Sequence, residues 1–435
     1  MFALGASLVL AATAVPQSAA TFSSTTADGV NAFAALSVFP SIRSTTYELR
    51  MGAFTGTTYT LTLQNDLSGD YFVVLRGGAG DGTNGGNRGP DENYARVSGD
   101  PHGNFPLTTA SNAVQLERRG TTGDWQGQVT VIEAIRDPLG SSFTLLDVVQ
   151  TTMGPGVTAA ATAAGAAWSD INQVGLYGGN YGGGVDSTNT GTNGHQAGWA
   201  QLRPTGANTV NYRRQAGGGG NLNGTSRFST YVVEWGSEWT IQRAVVTGTN
   251  GGNGVDAVGE YDTAAINPVN RDNTFVLAYG RSSDNGLGDG FGGAVFTLGD
   301  GVAQNAVESV VAVGSEFNDS RSADVYVHTH PDLRVDYRFG TDGGSGIPVG
   351  ALTGTAVVDA SLEAETHDTT GTVWETGPRR FAIVSNSSNG VGNAYPRPFV
   401  WARHSAGAQV TWDRSRGGQP GAFWLQSVDF ALIGP

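Results

Sequence analysis

Apolar and polar residues alternate along short stretches of this chain, and four of these stretches share one pattern. A valine is followed two places later by a large apolar residue, and two places after that by arginine or an aromatic residue. The four stretches are VQLERRG at 114–120, VNYRRQ at 210–215, VDYRFG at 335–340 and VTWDRSR at 410–416. Because successive side chains of a strand point to opposite faces, this period of two predicts four β-strands.

We expect the apolar residues of these strands to lie in the core, with arginine at the rim laying its methylene groups over apolar surface. The predicted core-strand residues are Val114, Leu116, Arg118, Val210, Tyr212, Arg214, Val335, Tyr337, Val410, Trp412 and Arg414. After each of these strands comes a second one that ends in an acid: VIE at 131–133, VVE at 232–234, VVD at 357–359 and SVD at 427–429. The turn GGQPG at 417–421 predicts a hairpin that places Arg414 near Trp424.

A third apolar strand precedes these pairs at 71–78, 275–286 and 380–390, and each copy leads into a loop rich in glycine, asparagine or serine. Many short strands separated by turn signals predict an all-β fold of tandem antiparallel β-sandwich units, similar to jelly rolls. We place an apolar segment at 1–36 and the units at 37–138, 139–245, 246–362 and 363–435. Two large composite sandwiches are the alternative.

Helical signals are weak. The best candidate is VTAAATAAGAAWSDI at 157–171, where alanine favours a helix and threonine and glycine oppose it. A short helix and a loop remain open alternatives for this stretch.

The first twenty residues, MFALGASLVLAATAVPQSAA, are apolar and end in small residues. No arginine or lysine precedes the run, which favours a retained docking segment over a cleaved signal peptide. The run is short for a membrane span, and Pro16 interrupts it, so we expect no membrane-spanning segment.

Composition narrows the function classes. Charged residues make up 14% of the chain and the formal net charge is −14, which disfavours nucleic-acid partners. All 24 basic residues are arginine, so lysine-based catalysis is excluded. The chain has no cysteine, which excludes disulfides, thiolate metal sites and a cysteine nucleophile.

Metal sites have few candidates. His328 and His330 lie two apart on one strand, with Asp332 close behind, and could share a metal; the favoured alternative is two histidines on a sheet. Asp256, in a turn typical of calcium-binding repeats, and Asp284 and Asp289, in DNGLGDG at 284–290, are candidate calcium ligands. No third histidine ligand and no tandem copy of the turn is present, so we expect no metal and no cofactor.

Catalytic motifs are absent: the chain has no G-x-S-x-G, H-E-x-x-H or Walker sequence. Aromatic residues are the better functional lead, since exposed tryptophans stack on sugar rings and anchor interfaces. The tryptophans near the repeated strands are Trp125, Trp199, Trp235, Trp239, Trp374, Trp401, Trp412 and Trp424. We expect Trp412 and Trp424 to be buried.

The sequence of these strands resembles repeats in virion structural proteins of tailed bacteriophages, of the tail-fibre and decoration kind. The second unit shows it best, with VNYRR at 210–214 and YVVEWGSEWTIQR at 231–243, and the last unit keeps VTWDRSR and VDFALIG. The third unit departs from the pattern, with Phe339 in place of arginine. The resemblance implies an oligomeric virion component and assigns no catalytic residue.

We therefore expect a non-catalytic structural protein of a phage virion: a tail fibre, a decoration protein or another tail- or head-associated component. Its expected partners are other virion proteins and copies of itself, with a host-surface glycan as a further candidate. A secreted or cell-surface adhesin, filament subunit or carbohydrate-binding protein of a prokaryote is the first alternative. A polysaccharide-degrading enzyme that uses paired carboxylates is the second.

Overall fold

The computed structural model describes the following residues of the chain. These are 26–27, 30–31, 41–67, 70–80, 94–99, 112–135, 142–178, 198–214, 225–248, 261–282, 295–300, 305–314, 321–340, 353–357, 366–368, 373–376, 380–388, 400–404, 409–414, 421–430 and 433.

The first two units each contain six strands. A short pair, β1 (Thr26–Ala27) and β2 (Val30–Asn31), precedes them. The first unit comprises β3 (Ile42–Phe54), β4 (Thr58–Thr62), β5 (Tyr71–Gly80), β6 (Arg96–Gly99), β7 (Ala113–Glu117) and β8 (Asp124–Ala134). The second comprises β9 (Phe143–Met153), β10 (Ala159–Ala163), β11 (Val174–Tyr177), β12 (Gln201–Thr205), β13 (Thr209–Arg213) and β14 (Ser226–Trp235).

The last two units repeat this layout. The third comprises β15 (Thr240–Gly248), β16 (Tyr261–Asn270), β17 (Thr274–Ser282), β18 (Val295–Leu298), β19 (Val307–Gly314) and β20 (Arg321–Thr329). The fourth comprises β21 (Arg334–Gly340), β22 (Thr353–Val357), β23 (Thr366–Asp368), β24 (Val373–Thr376), β25 (Arg380–Ser388), β26 (Val400–His404), β27 (Gln409–Arg414) and β28 (Gly421–Asp429). The helical turns among the described residues are two 3-10 turns, Ile171–Gln173 and Arg271–Asn273.

All four units have one topology. If the six common strands of a unit are called A to F in chain order, A, F and C form one antiparallel sheet and B, E and D form the other. The A-F-C sheets are β3-β8-β5, β9-β14-β11, β15-β20-β17 and β21-β28-β25. This arrangement confirms the predicted all-β fold of sandwich-like units.

The predicted hairpins are wrong, because strands E and F of a unit lie in opposite sheets. In the last unit β27 pairs with β22 and β26, whereas β28 pairs with β21 and β25. Residue 339, not Arg414, lies opposite Trp424. The strands on either side of this stretch, β27 and β28, are therefore not hydrogen-bonded neighbours.

The third predicted copy of the motif is also misplaced. VDYRFG forms β21, which is strand A of the fourth unit, while strand E of the third unit is β19. The start of VVD at 357–359 falls at the end of β22, strand B of the fourth unit. Both strands assigned to the third unit by this pattern therefore lie in the fourth unit.

Strand pairing also moves two of the predicted boundaries. The boundary at 245/246 cuts through β15, which opens the third unit, and the fourth unit begins at β21 rather than at 363. The stretch at 157–171 is neither a helix nor a loop throughout, because residues 159–163 form β10, paired with β13. Its alternating alanines pack as the edge of a sheet, so tertiary pairing overrides their helix propensity.

The four units close into a ring. The extra strands β23 and β24 of the fourth unit add to the edge of β3 in the first unit, so that sheet has five strands. The backbone N–H of Ser41, at the start of the first unit, donates to the carbonyl of Ile433 at 2.6 Å. The beginning of the first unit thus meets the end of the fourth.

One large apolar core extends through all four units. Buried residues from all four units form one continuous cluster, from Ile42 in the first unit to Ile433 after the last. A second, smaller cluster lies within the fourth unit and includes Val410 and Trp412. Packing between units therefore extends the cores of the separate sandwiches.

Candidate functional site

The repeated arginine that follows strand E is a buried clamp on the turn between strands A and B. Arg118 Nε and Nη2 donate to the carbonyls of Gly56 and Thr55 at 2.8 and 3.0 Å. Arg214 makes the equivalent contacts in the second unit, donating from Nε to the Val157 carbonyl at 2.7 Å and from Nη2 to the Gly154 carbonyl.

Arg214 is completely buried and also donates from Nη1 to the Ser226 hydroxyl at 2.6 Å. Burial lowers its pKa to about 10, so the side chain keeps its charge at neutral pH. The charge strengthens its hydrogen bonds to the turn carbonyls. This arginine therefore has a structural task and does not face a ligand.

The other predicted core-strand residues are buried as well. Exposure is 5% or less for Val114, Leu116, Val210, Tyr212, Val335, Tyr337, Val410 and Trp412. The side chain of Arg414 lies outside the described side chains.

Aromatic rings from successive units meet near the centre of the ring. The second residue of strand C is a phenylalanine in three units: Phe72 in the first, Phe275 in the third and Phe381 in the fourth. The second unit has Gly175 there instead, and the ring of Tyr177 folds over it, in the space that a Cβ atom would need. Each unit thus contributes one ring to the centre.

These rings form a connected column. Phe72 stacks on Tyr177 with 4.0 Å between centroids, and His328 stacks on Phe275 at 4.4 Å with the planes only 4° apart. Phe275 meets Phe381 edge to face at 5.8 Å. Aromatic pairs in these geometries add to the energy of burial alone, so the column joins the units.

A hydrogen-bonded relay runs beside the column. Trp235 Nε1 donates to the Tyr177 hydroxyl at 2.6 Å, and this oxygen lies 2.6 Å from His328 Nε2. Burial lowers the pKa of His328 to about 3, so the imidazole is neutral and shares a hydrogen bond with the Tyr177 hydroxyl. Burial also raises the pKa of Tyr177, which keeps the hydroxyl protonated.

The histidine pair does not form a metal centre with other described residues. His328 is enclosed by aromatic rings, and His330 lies 3.4 Å from Glu238 and accepts from the Asp332 backbone N–H at 3.1 Å. No group of three histidines or acids in the described part of the chain could hold a metal ion. The calcium candidates Asp256, Asp284 and Asp289 lie outside the described residues.

Ion pairs with buried carboxylates cross the boundaries between units. At the boundary of the second and third units, Arg203 Nε donates to Asp324 Oδ1 at 3.0 Å. At the boundary of the fourth and first units, Arg403 pairs with Glu48, which also accepts from Trp401 Nε1 at 3.3 Å. Arg203 and Arg403 occupy corresponding positions of strand D, opposite Asn211 and Thr411.

Side-chain amides also join the units through backbone groups. Gln426 Oε1 accepts from the Val276 N–H at 2.7 Å, and its Nε2 donates to the Val276 carbonyl at 2.8 Å. Gln128 Nε2 donates to the Ala382 carbonyl at 2.7 Å, and its Oε1 accepts from the Ala402 N–H at 3.2 Å. Each glutamine satisfies backbone groups of a neighbouring unit.

The exposed-tryptophan hypothesis is wrong for most of its residues. Trp125, Trp235, Trp239 and Trp401 are 2% exposed or less, and Trp412 and Trp424 are buried as expected. Trp199 is partly buried, and the side chain of Trp374 lies outside the described side chains. Tryptophans therefore build the core and the relay.

Comparison with protein-family models, with curated proteins and with solved structures finds no match to this chain. Within the described residues, no helix is long and apolar enough to cross a membrane. The arrangement of the ring is therefore the main guide to function.

Sequence reasoning missed the central phenylalanines and the strand D arginines. The sequence does carry a signal for the phenylalanines, since YFVV, TFVL and RFAI each place phenylalanine second in strand C. The strand D arginines could have been found in AQLR and VWAR, where arginine alternates with apolar residues. That these side chains reach a neighbouring unit depends on the ring, which no local pattern encodes.

Proposed function

We propose that this chain is a non-catalytic structural component of a phage virion, of the tail-fibre or decoration type. It assembles with copies of itself and with other virion proteins, and it contributes to attachment at the host surface.

The observation that supports this proposal most is the use of buried polar groups to join units. Asp324 and Glu48 are 1% exposed and bind arginines of a neighbouring unit. Within units, Glu133 binds Arg43 through two bonds of 2.9 Å. A removed partner would leave a buried charge, so such contacts favour one rigid arrangement of four units.

Rigidity without disulfides suits a particle component. The ring has one continuous core and a strand-paired closure between its last and first units. The resemblance of VNYRR at 210–214 and of 231–243 to repeats of phage virion proteins supports the same class.

A prokaryotic cell-surface adhesin or filament subunit is the alternative, because a rigid ring of β-units suits that role as well. The two proposals predict different locations for the protein. The first places it in a nucleic-acid-containing particle, and the second places it in a cell envelope.

The test is quantitative mass spectrometry of particles purified from the native source by two density gradients. We expect this chain to be present at a fixed ratio to the major capsid protein across fractions. A soluble host protein of similar size provides the control for carry-over. Recovery of the chain in the envelope fraction, with no fixed ratio to capsid protein, would contradict the virion proposal.

A further inference from the structure

A cleft of about 430 Å³ opens where the third and fourth units meet. One wall is the 3-10 turn Arg271–Asn273, between β16 and β17 of the third unit, and the other is the start of β21 in the fourth. The volume lies within the range of about 300–1,000 Å³ that is typical of sites for small molecules. The cleft is therefore large enough to hold a ligand with several polar groups.

The turn is held firmly against the fourth unit. Asn273 Nδ2 donates to the carbonyls of Pro331 and Leu333 at 2.8 and 2.7 Å. The guanidinium group of Arg271 lies over the ring of Tyr337, 4.8 Å from its centroid. The shape of the cleft is therefore set before a ligand arrives, which lowers the cost of ordering its walls on binding.

Exposed side chains of opposite charge line the two walls. Asp272 is exposed on the turn, and Arg334 is exposed at the first position of β21. Asn270, exposed at the start of the turn, adds an amide. Asp336, further along β21, pairs with Arg338 at 2.7 Å. One wall thus offers a hydrogen-bond acceptor and the other a group of donors.

The same scaffold occurs one boundary earlier with different exposed residues. The 3-10 turn Ile171–Gln173 of the second unit contacts the start of the third, where Gln173 Nε2 donates to the Trp239 carbonyl at 3.1 Å. The exposed residues there are Asn172 on the turn and Thr240 at the first position of β15, and both are uncharged. The scaffold therefore forms without a pair of charges on its walls.

We propose that the cleft between the third and fourth units binds a neutral saccharide. A sugar hydroxyl both donates and accepts hydrogen bonds, so neighbouring hydroxyls on one ring satisfy a carboxylate and a guanidinium group together. Asp272 accepts from the hydroxyls, and Arg334 donates to hydroxyl and ring oxygens. The charges that the scaffold does not need thus have a ligand that uses both.

Opposite charges on the two walls favour a neutral ligand over a charged one. An anion in the cleft would be repelled by Asp272, and a cation would be repelled by Arg334. A small zwitterion, such as a free amino acid, matches both charges but fills only a small part of 430 Å³. A neutral saccharide meets neither difficulty, and its binding should depend little on salt.

The inference rests on the attachment role in the proposed function and gives that role a site. The two can fail separately, because saccharide binding is measured on the purified chain and virion membership is measured on particles. A chain that binds saccharide but is absent from particles would support the inference and the cell-surface alternative.

The test first presents the full-length chain to an array of neutral and acidic oligosaccharides from bacterial surfaces. Titration calorimetry then uses the neutral oligosaccharide that binds best. We expect equal affinity at about 0.1 M and about 1 M salt, where the screening lengths are about 10 and 3 Å. Asp272→Ala and Arg334→Ala should each weaken binding by about tenfold or more, since each removes hydrogen bonds to a charged group.

The matched controls are Asn172→Ala and Thr240→Ala, which change the equivalent positions one boundary earlier. Each should alter the affinity by less than about twofold. All four substituted residues are exposed, so the melting temperatures of the variants should equal that of the wild type. Equal melting temperatures separate a lost contact from a lost fold.

Three results would overturn the inference. The first is that no neutral oligosaccharide on the array binds the wild type. The second is that Asp272→Ala and Arg334→Ala keep the affinity of the two control variants. The third is that only charged ligands bind, with glycylglycine as the zwitterionic probe, and that their binding weakens as salt rises.

Discussion

Arg214 is a buried charge whose three nitrogens all donate hydrogen bonds, to Gly154, Val157 and Ser226. The carbonyl groups belong to the turn between β9 and β10, which lie in opposite sheets. A charged donor is worth more there than a neutral one. The arginine therefore fixes how the two sheets of the unit are joined.

The substitution Arg214→Met should lower the free energy of unfolding by about 3 kcal/mol, because it removes the charge-assisted hydrogen bonds that the buried guanidinium donates to two carbonyls and to the Ser226 hydroxyl. Chemical denaturation measures the change. Arg213→Met is the control at an exposed neighbouring position and should change it by less than about 0.5 kcal/mol. Equal effects of the two variants would contradict the clamp.

His328 makes stability depend on pH. Its pKa is about 3 in the folded chain against 6.5 when unfolded, so the unfolded state binds more protons between these values. Stability is therefore full above pH 6.5 and is lost as pH falls towards 3. His404, whose burial lowers its pKa to about 4, acts in the same direction.

The substitution His328→Phe should keep the stacking on Phe275 and remove this proton uptake. We expect the loss of stability between pH 6.5 and 4 to be smaller in the variant than in the wild type, by about 3 kcal/mol. Denaturation curves across this range check it. Parallel pH profiles of variant and wild type would show that His328 is not the group concerned.

At the scale of elements, Gln426 takes the place of a strand neighbour for Val276. Its amide offers a donor and an acceptor to the backbone of the third unit, at 2.8 and 2.7 Å. Gln242 makes the same two bonds to Asn267, at 3.2 and 2.7 Å, in a solvent-exposed place. The two glutamines therefore form a natural comparison.

Gln426→Leu should cost about 2–4 kcal/mol of stability, since it leaves a buried N–H and a buried carbonyl unsatisfied. Gln242→Leu should cost less than about 1 kcal/mol, because water replaces the lost bonds. Amide exchange at Val276 should rise in the first variant alone. Unchanged protection at Val276 would show that Gln426 does not support the boundary.

The sequence predicted well which residues form strands, but it predicted poorly which strands pair with each other. Alternation in VNYRR identified β13 correctly, because period and burial are local properties. It could not show that β13 and β14 lie in opposite sheets, since alternation does not indicate which strands pair. VDYRFG was placed in the wrong unit for the same reason, because strands A and E share one pattern of alternation.

Of the candidate site, sequence reasoning recovered the repeated arginines at 118 and 214 beside large apolar residues, but it placed them at the rim of the core, whereas both are buried. It missed the ion pair between Arg203 and Asp324, because these residues are 121 apart in the sequence and meet only across a unit boundary. Most of the tryptophans that sequence reasoning treated as surface residues are buried, because a large core needs large side chains more than a surface does.

At the scale of the whole molecule, the central claim is that four units close into one ring. Strands β23 and β24 are inserted between strands B and C of the fourth unit; β24 pairs with β3 of the first unit, and β23 pairs with β24. Closure turns a linear array, in which terminal units have one neighbour, into an arrangement in which each has two. Cooperative unfolding of all four units follows from it.

The most direct measurement uses the absence of cysteine from the chain. In the double variant Ser41→Cys/Ile433→Cys, the two thiols are the only ones present, at positions joined by a backbone hydrogen bond of 2.6 Å. Mild oxidation should give an intramolecular disulfide in monomeric chain, identified by peptide mass mapping, while Ser41→Cys/Val307→Cys should stay reduced. Free thiols, or disulfides only between separate chains, would contradict the closed ring.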